Sequence, residues 1–306
     1  MKKLLTIAIA IMLVSGSVFA GGAKEKADDG KMNVVATSTM IHDLVKVIGG
    51  DKITTIGLVG VGVDPHLFQA SAGDVTKMQE ADVVVYNGLN FEGRMGEIFA
   101  SLTKQGKNII CLEDSIPVEL IQKDPEGAPD PHMWWNMTIW KGATKHVAAE
   151  LSKFDPANAK TYNTNAENYL VELDLLDSYI KNRTAELPEG QRILITAHDA
   201  FEYFARSYGY TVKGVQGIST ETEAGAADVS NLADFIVENK IKAMFVETSV
   251  SSKTIEAVQA AAKAQGFEVG IGGTLYSDSL GDESNGCETF IKSYKSNVDT
   301  IVNALK

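Results

Sequence analysis

The chain has 306 residues, 44% apolar and 22% charged, enough to bury a core and too apolar for wholesale disorder. Twenty-eight basic against 40 acidic residues leave a net charge of −12. That balance argues against nucleic acid as a partner and offers a cation a mildly attractive field. Two cysteines, Cys111 and Cys287, exclude a disulfide framework and a cysteine-built zinc site, so any bound metal must be held by nitrogen and oxygen.

The chain begins with the basic Met1-Lys2-Lys3, an apolar run over 4–14 and small residues ending at Ala20. These three features mark residues 1–20 as a secretory signal peptide. The apolar run is short for a membrane span of ~20 residues; an uncleaved anchor is the alternative. Either way the expected location is periplasmic or otherwise extracytoplasmic. No cysteine lies near the cleavage point, so there is no lipobox for lipid attachment. Residues 21–31, small and charged, read as a flexible tether.

From Met32 onward apolar β-rich runs alternate with helical stretches. Strands are expected at 33–37, 53–59, 83–87 and 109–112, with helices near 41–48, 72–79 and 96–103. A second set follows residue 190, with strands at 193–197, 211–215, 243–247 and 268–271. Its helices fall near 201–207, 229–238, 253–264 and 288–305. Near-continuous apolar strands separated by helices imply parallel sheets covered on both faces. The expected fold class is α/β: two doubly wound lobes, 32–154 and 189–306, joined by one long helix over 155–188. Within that helix Tyr162, Ala166, Tyr169, Leu173, Leu176 and Ile180 recur at spacings of four and three, which is one helical face. Asp155 and Pro156 read as its N-cap and first-turn proline. About 31 residues give a rod of roughly 45 Å.

The chain has five histidines. His66 and His132 both stand in the triplet Asp-Pro-His, the first after the second strand and the second in the loop after the fourth. Proline fixes its own φ and keeps its predecessor extended, so each imidazole is aimed from a stiff loop. His198 closes the strand Ile193-Leu-Ile-Thr-Ala-His and opens a helix. Strand carboxyl ends are where open α/β sheets bind ligands. Asp278, in Tyr276-Ser-Asp-Ser-Leu280, reads equally as a ligand, an N-cap or a turn residue. Taken together, three imidazoles and a carboxylate suit a borderline cation, with Zn²⁺ leading, in a closed tetrahedral site at the interlobe cleft. Four protein ligands favour holding a metal over using it as a Lewis acid.

Other residues carry weaker signals. Glu247, at a strand end, either orients a ligand imidazole or is structural. His42 and His146 fall in helical stretches and read as surface or helix residues. Trp134, Trp135 and Trp140 read as core and site wall. Gly60-Val-Gly62 has Pro65 where a dinucleotide fingerprint needs its third glycine. The two cysteines read as unpaired.

The chain resembles the metal-binding solute-binding proteins of ABC importers, most closely the TroA-like zinc- and manganese-binding type. The likeness rests on Gly62-Val-Asp-Pro-His66-Leu-Phe, Ala81-Asp-Val-Val-Val-Tyr-Asn-Gly-Leu89, Asp130-Pro-His132-Met-Trp, Thr196-Ala-His198-Asp-Ala-Phe201, Phe245-Val-Glu-Thr-Ser249 and Ser277-Asp278. It implies two lobes bridged by one helix, a metal between them, and delivery to a membrane permease driven by an ATPase. The family's first-lobe histidines map onto His66 and His132, and its aspartate onto Asp278. Manganese-favouring members often carry glutamate where this chain has His198, which points to Zn²⁺, with Mn²⁺ as the alternative. Zinc-dedicated members often carry a His-rich loop before the second histidine; residues 113–130 here contain no histidine. Many relatives are lipoproteins, a feature this chain lacks the cysteine for. The implied protein is a monomer that touches the membrane only through the importer or an uncleaved signal anchor, and it is not an enzyme.

Two readings from other classes compete. A secreted metallohydrolase would need an open coordination position and a general base, for which Glu247 and Glu223 are the nearest candidates. A metal-binding adhesin or metal buffer would have no transport partner.

Overall fold

Runs of valine and isoleucine build the first half. β1 (Met32–Ala36), β2 (Ile53–Gly57), β3 (Val83–Tyr86) and β4 (Asn108–Cys111) pair in parallel, in the order β2-β1-β3-β4. Val34, Val35, Val83, Val84 and Val85 are all buried, as a parallel sheet covered on both faces demands. The computed structural model describes residues 30–306. The expected signal peptide and residues 21–29 of the tether lie outside the described residues.

Helices α1 (Thr39–Gly49), α2 (Ala72–Glu80) and α3 (Gly96–Lys104) connect these strands. The starts of α1 and α2 follow from capping chemistry. The Ser38 hydroxyl accepts the Ile41 N–H, and Ser71 with Asp74 forms a reciprocal capping box.

In the second half β5 (Ile193–His198) pairs in parallel with β6 (Thr211–Gln216), and β7 (Ala243–Glu247) with β8 (Gly270–Leu275). β5 runs beside β7. The helices there are α6 (Glu202–Tyr208), α7 (Ala226–Asn239), α8 (Lys253–Ala264) and α9 (Phe290–Leu305). β8 lies later than the expected 268–271. Its run of glycines hides it from an apolar-pattern reading, and the glycines have a packing cause. A Cβ on Gly272 would come within 2.7 Å of the Phe245 ring and 2.8 Å of the Ala304 side chain, so this strand lies against β7 and α9 only without a side chain there.

The expected long helix stands between the halves, and a further helix that spacing does not single out precedes it at the end of the first half. α4 (Met137–Phe154) is capped by Asn136, whose side chain accepts the N–H groups of Thr138 and Ile139. It packs along α5 (Ala159–Thr184). α5 is 26 residues long, about 39 Å, shorter at both ends than the 155–188 expectation. A tight turn over Pro156–Asn158 precedes it. Asp155 stands at the N-cap position of that turn with Pro156 at its start, as expected, and its Oδ2 accepts from Tyr162 Oη at 2.6 Å and Asn158 Nδ2 at 2.7 Å. The predicted face of Tyr162, Ala166, Tyr169, Leu173, Leu176 and Ile180 is buried throughout.

That face is part of a single apolar cluster. It runs from β1 and α1 through α4, α5 and α9 to Leu194 and Phe201 in the second half. α5 is therefore embedded in a core shared by both halves and is not a free strut. Among the described residues, no helix is long and apolar enough to cross a membrane.

Candidate metal centre

His198 ends a strand and Asp278 closely follows one, His66 and His132 stand in loops, and each histidine is fastened by a neighbouring carboxylate. His66 lies in the loop after β2. Asp64 Oδ1 accepts the His66 backbone N–H at 2.8 Å. The same device serves the second triplet: Asp130 Oδ1 accepts the His132 N–H at 2.9 Å. Here it also lies 2.7 Å from His132 Nδ1. An aspartate two residues ahead of its histidine folds the loop into an Asx turn. The triplet's aspartate is thus a functional position that the sequence reading passed over in favour of the proline.

His198 ends β5. Glu247, at the end of the adjacent β7, accepts its backbone N–H through Oε1 at 3.0 Å and faces Nδ1 through Oε2 at 2.6 Å. Asp278 follows β8 in a segment tied down on both sides. Asn297 holds both the N–H and the carbonyl of Tyr276. The Ser279 hydroxyl accepts the Gly62 N–H at 2.8 Å, and Thr39 Oγ1 accepts the Leu280 N–H at 2.8 Å. Asp278 caps no helix, since α9 starts at Phe290 under a Thr289 cap.

With Nδ1 of His132 and His198 held by carboxylates, the Nε2 atoms of these rings point at one another and at Asp278. His198 Nε2 is 3.1 Å from Asp278 Oδ2 and 3.3 Å from His132 Nε2. His66 Nε2 and His132 Nε2 each lie 3.5 Å from an Asp278 oxygen. One donor atom from each of the four residues falls within 4.8 Å of all the others. All four are buried, none exposed by more than 2%. Apart from one another and the facing imidazole nitrogens, His66 Nε2 and both Asp278 carboxylate oxygens have no hydrogen-bond partner. Orphaned buried polar atoms cost free energy, and a cation at their centre removes that cost.

The electrostatics run the same way. Burial opposes charge on His198, but the carboxylates of Asp278 and Glu247 outweigh it and hold its pKa well above the ordinary imidazole value. Burial equally opposes charge on Asp278, and the facing imidazoles, His198 foremost, hold its pKa well below the ordinary carboxylate value. A fixed carboxylate amid imidazole nitrogens is the environment a divalent ion needs.

An aromatic wall closes the site. Phe91 stands edge-on to His66 at 5.1 Å and Trp134 to His132 at 5.3 Å. Trp135 and Trp140 are buried in the shared core. The remaining candidates fall elsewhere. Glu223 is exposed, on the rim of a cavity of about 610 Å³ between the 124–131 and 215–228 segments. His66 lines that cavity, while His132, His198 and Asp278 do not. His42 sits half-buried in α1 against Thr55 Oγ1 at 3.0 Å, and His146 half-buried in α4. Cys111 and Cys287 are unpaired.

Comparison with known proteins adds a family. The profile described as zinc-uptake complex component A, periplasmic (ZnuA), matches residues 34–304. The chain is 40% identical over 304 residues to the zinc-binding protein TroA of Treponema pallidum (strain Nichols), covering 99% of this chain and 98% of that one. It is 41% identical over 282 residues to the manganese-binding lipoprotein MntA of Bacillus subtilis (strain 168), covering 92% of each. The solved structure of the periplasmic zinc-binding protein TroA from Treponema pallidum superposes with a TM-score of 0.88 at 42% identity, over 90% of this chain and 99% of that one.

Proposed function

We infer that this chain, which belongs to the ZnuA family of periplasmic zinc-uptake components, is an extracytoplasmic solute-binding protein that captures a divalent transition metal and hands it to an ABC permease and its ATPase. The observation that carries this reading is the buried cluster of His66, His132, His198 and Asp278, with orphaned donor atoms facing a common point. We assign these four as the metal ligands and Glu247 as the group that orients His198. Three nitrogens and one oxygen suit tetrahedral Zn²⁺. Mn²⁺ is the second reading, favoured by the likeness to a manganese-binding lipoprotein.

The metal is cargo, so the site's task is to hold and release. Four protein donors already surround the central point, which leaves no reserved position for a reacting water. Glu247, named above as a possible general base, has both oxygens engaged by His198, and Glu223 is exposed on the cavity rim. Neither is placed to serve a hydrolase. We assign residues 32–154 and 189–306 as the two lobes, and 1–20 as an export signal without a lipid-accepting cysteine.

Elemental analysis of protein purified without added metal, followed by competition titration with Zn²⁺ and Mn²⁺, tests the reading. The expected result is one equivalent bound by the parent and binding weakened at least ~100-fold in His132→Ala, as loss of a direct ligand demands. Parental affinity in that variant overturns the ligand assignment; no stoichiometric binding by the parent overturns the function.

A further inference from the structure

The three histidines are not fastened alike. Asp130 grips both the backbone and the ring of His132, and Glu247 does the same for His198. Asp64 grips only the backbone of His66. The position of the His66 ring therefore depends on where its loop is held.

That loop is weakly held by its own half. Val61, Val63 and Leu67 are 49%, 41% and 42% exposed, so few apolar contacts anchor it around the buried Pro65 and His66. Beyond the Phe91 ring beside His66 and the packing of Phe68, its supports come from the second half. Gly62 donates to Ser279 Oγ. Thr220, itself buried at 6% exposure, donates its hydroxyl to Asp64 Oδ2 at 2.6 Å. One carboxylate thus carries the His66 N–H on one oxygen and a hydroxyl from across the cleft on the other. Beside it Glu221 faces Arg94 across the same gap at 3.5 Å. The Gly217–Ala224 stretch also walls the cavity that only His66, of the four candidate ligands, reaches.

We propose that Thr220 is a positioning residue for His66, acting through Asp64, and that this cross-cleft clasp sets how fast the bound metal is released. It rests on the ligand assignment made above. With the clasp closed, the second half holds a first-half ligand in place. With it open, His66, the ligand nearest solvent and least fastened, is the first to leave. A hydroxyl donated to a carboxylate is a charge-assisted bond, and its loss falls on the step in which the loop swings out.

The test is zinc-loaded protein mixed with excess chelator, with release followed in time for the parent, Thr220→Val and Thr220→Ser. Thr220→Ala serves as a second hydroxyl deletion should the valine variant fail to fold. The expected result is release about tenfold faster or more without the hydroxyl and near-parental release in Thr220→Ser. Zinc uptake by the metal-free variants should keep its parental rate, which a general loosening of the fold would not leave alone. Parental release from the deletion variants overturns the clasp, as does release from Thr220→Ser as fast as that from Thr220→Val. If the parent itself binds no zinc, the functional reading fails first and takes the clasp with it, an outcome visible before any variant is mixed.

Discussion

Glu247 holds His198 at two points, its backbone N–H at 3.0 Å and its ring Nδ1 at 2.6 Å. The two residues lie 49 positions apart but at the ends of neighbouring strands. This double grip fixes both the place and the tautomer of the imidazole, leaving Nε2 as the free donor. Glu247→Ala should lower zinc affinity by about 10–100-fold. Glu247→Gln keeps the shape but removes the negative charge facing Nδ1, and should fall between alanine and parent. Competition titration measures both. Parental affinity in Glu247→Ala would show that the ring is oriented by something else.

Metal binding should expel a proton. The carboxylates of Asp278 and Glu247 hold His198 protonated to higher pH than an ordinary histidine, against the opposing effect of burial, and a ligand imidazole must be neutral. Below its raised pKa, metal and proton compete for Nε2, so affinity should fall as pH falls, starting above the ordinary histidine value of ~6.5. In the metal-free protein the sign is opposite for His198: its charged form contributes stability that is present below its ordinary pKa and lost as pH rises through the raised one. Calorimetric titration with zinc in two buffers of different ionisation enthalpy reads the proton directly. Heats that do not depend on the buffer would rule the competition out.

Asp43 offers a stability test away from the site. Burial drives its pKa from 3.8 up to about 6, against the Phe290 N–H that its Oδ2 accepts at 2.9 Å. Between those values the folded state binds the proton and the unfolded state does not. Its contribution is therefore full below the unfolded pKa and is lost as pH rises through about 6. Asn at this position keeps an acceptor for Phe290 without the charge. Asp43→Asn should stabilise the protein at pH 7, relative to pH 4, by on the order of 1–3 kcal/mol. Urea unfolding of metal-free protein at the two pH values measures this, and equal effects at both would contradict it.

Leu173 is fully buried on α5 within the core that both halves share. Leu173→Ala should cost about 2–5 kcal/mol. Because the cluster is continuous, unfolding should remain one transition that moves as a whole. Two transitions, with only one displaced by the substitution, would mean that the halves unfold separately.

Much of this was readable from periodicity. The valine-rich strands and the buried face of α5 follow from residue spacing, because burial on a given face selects apolar side chains at the period of the backbone. Elements without that pattern escaped it. β8 is glycine-rich because Phe245 and Ala304 occupy the space of a side chain. The long helix opens under Asp155 and Pro156 with a tight turn over Pro156–Asn158 that runs directly into α5, a change of winding that residue spacing does not register.

The sequence by itself determined the chemistry of the centre: which nitrogens and oxygens were on offer, in stiff loops and at strand ends, and that no thiolate set could compete. Residue types and local stereochemistry suffice for that. Only the tertiary structure decided that Asp278 is aimed at the imidazoles rather than capping a helix, that Glu247 reaches His198, and that Thr220 reaches Asp64. Those pairings join residues 49 to 212 positions apart. They depend on which strands lie side by side and which loops meet across the cleft, and spacing along the chain carries no record of that.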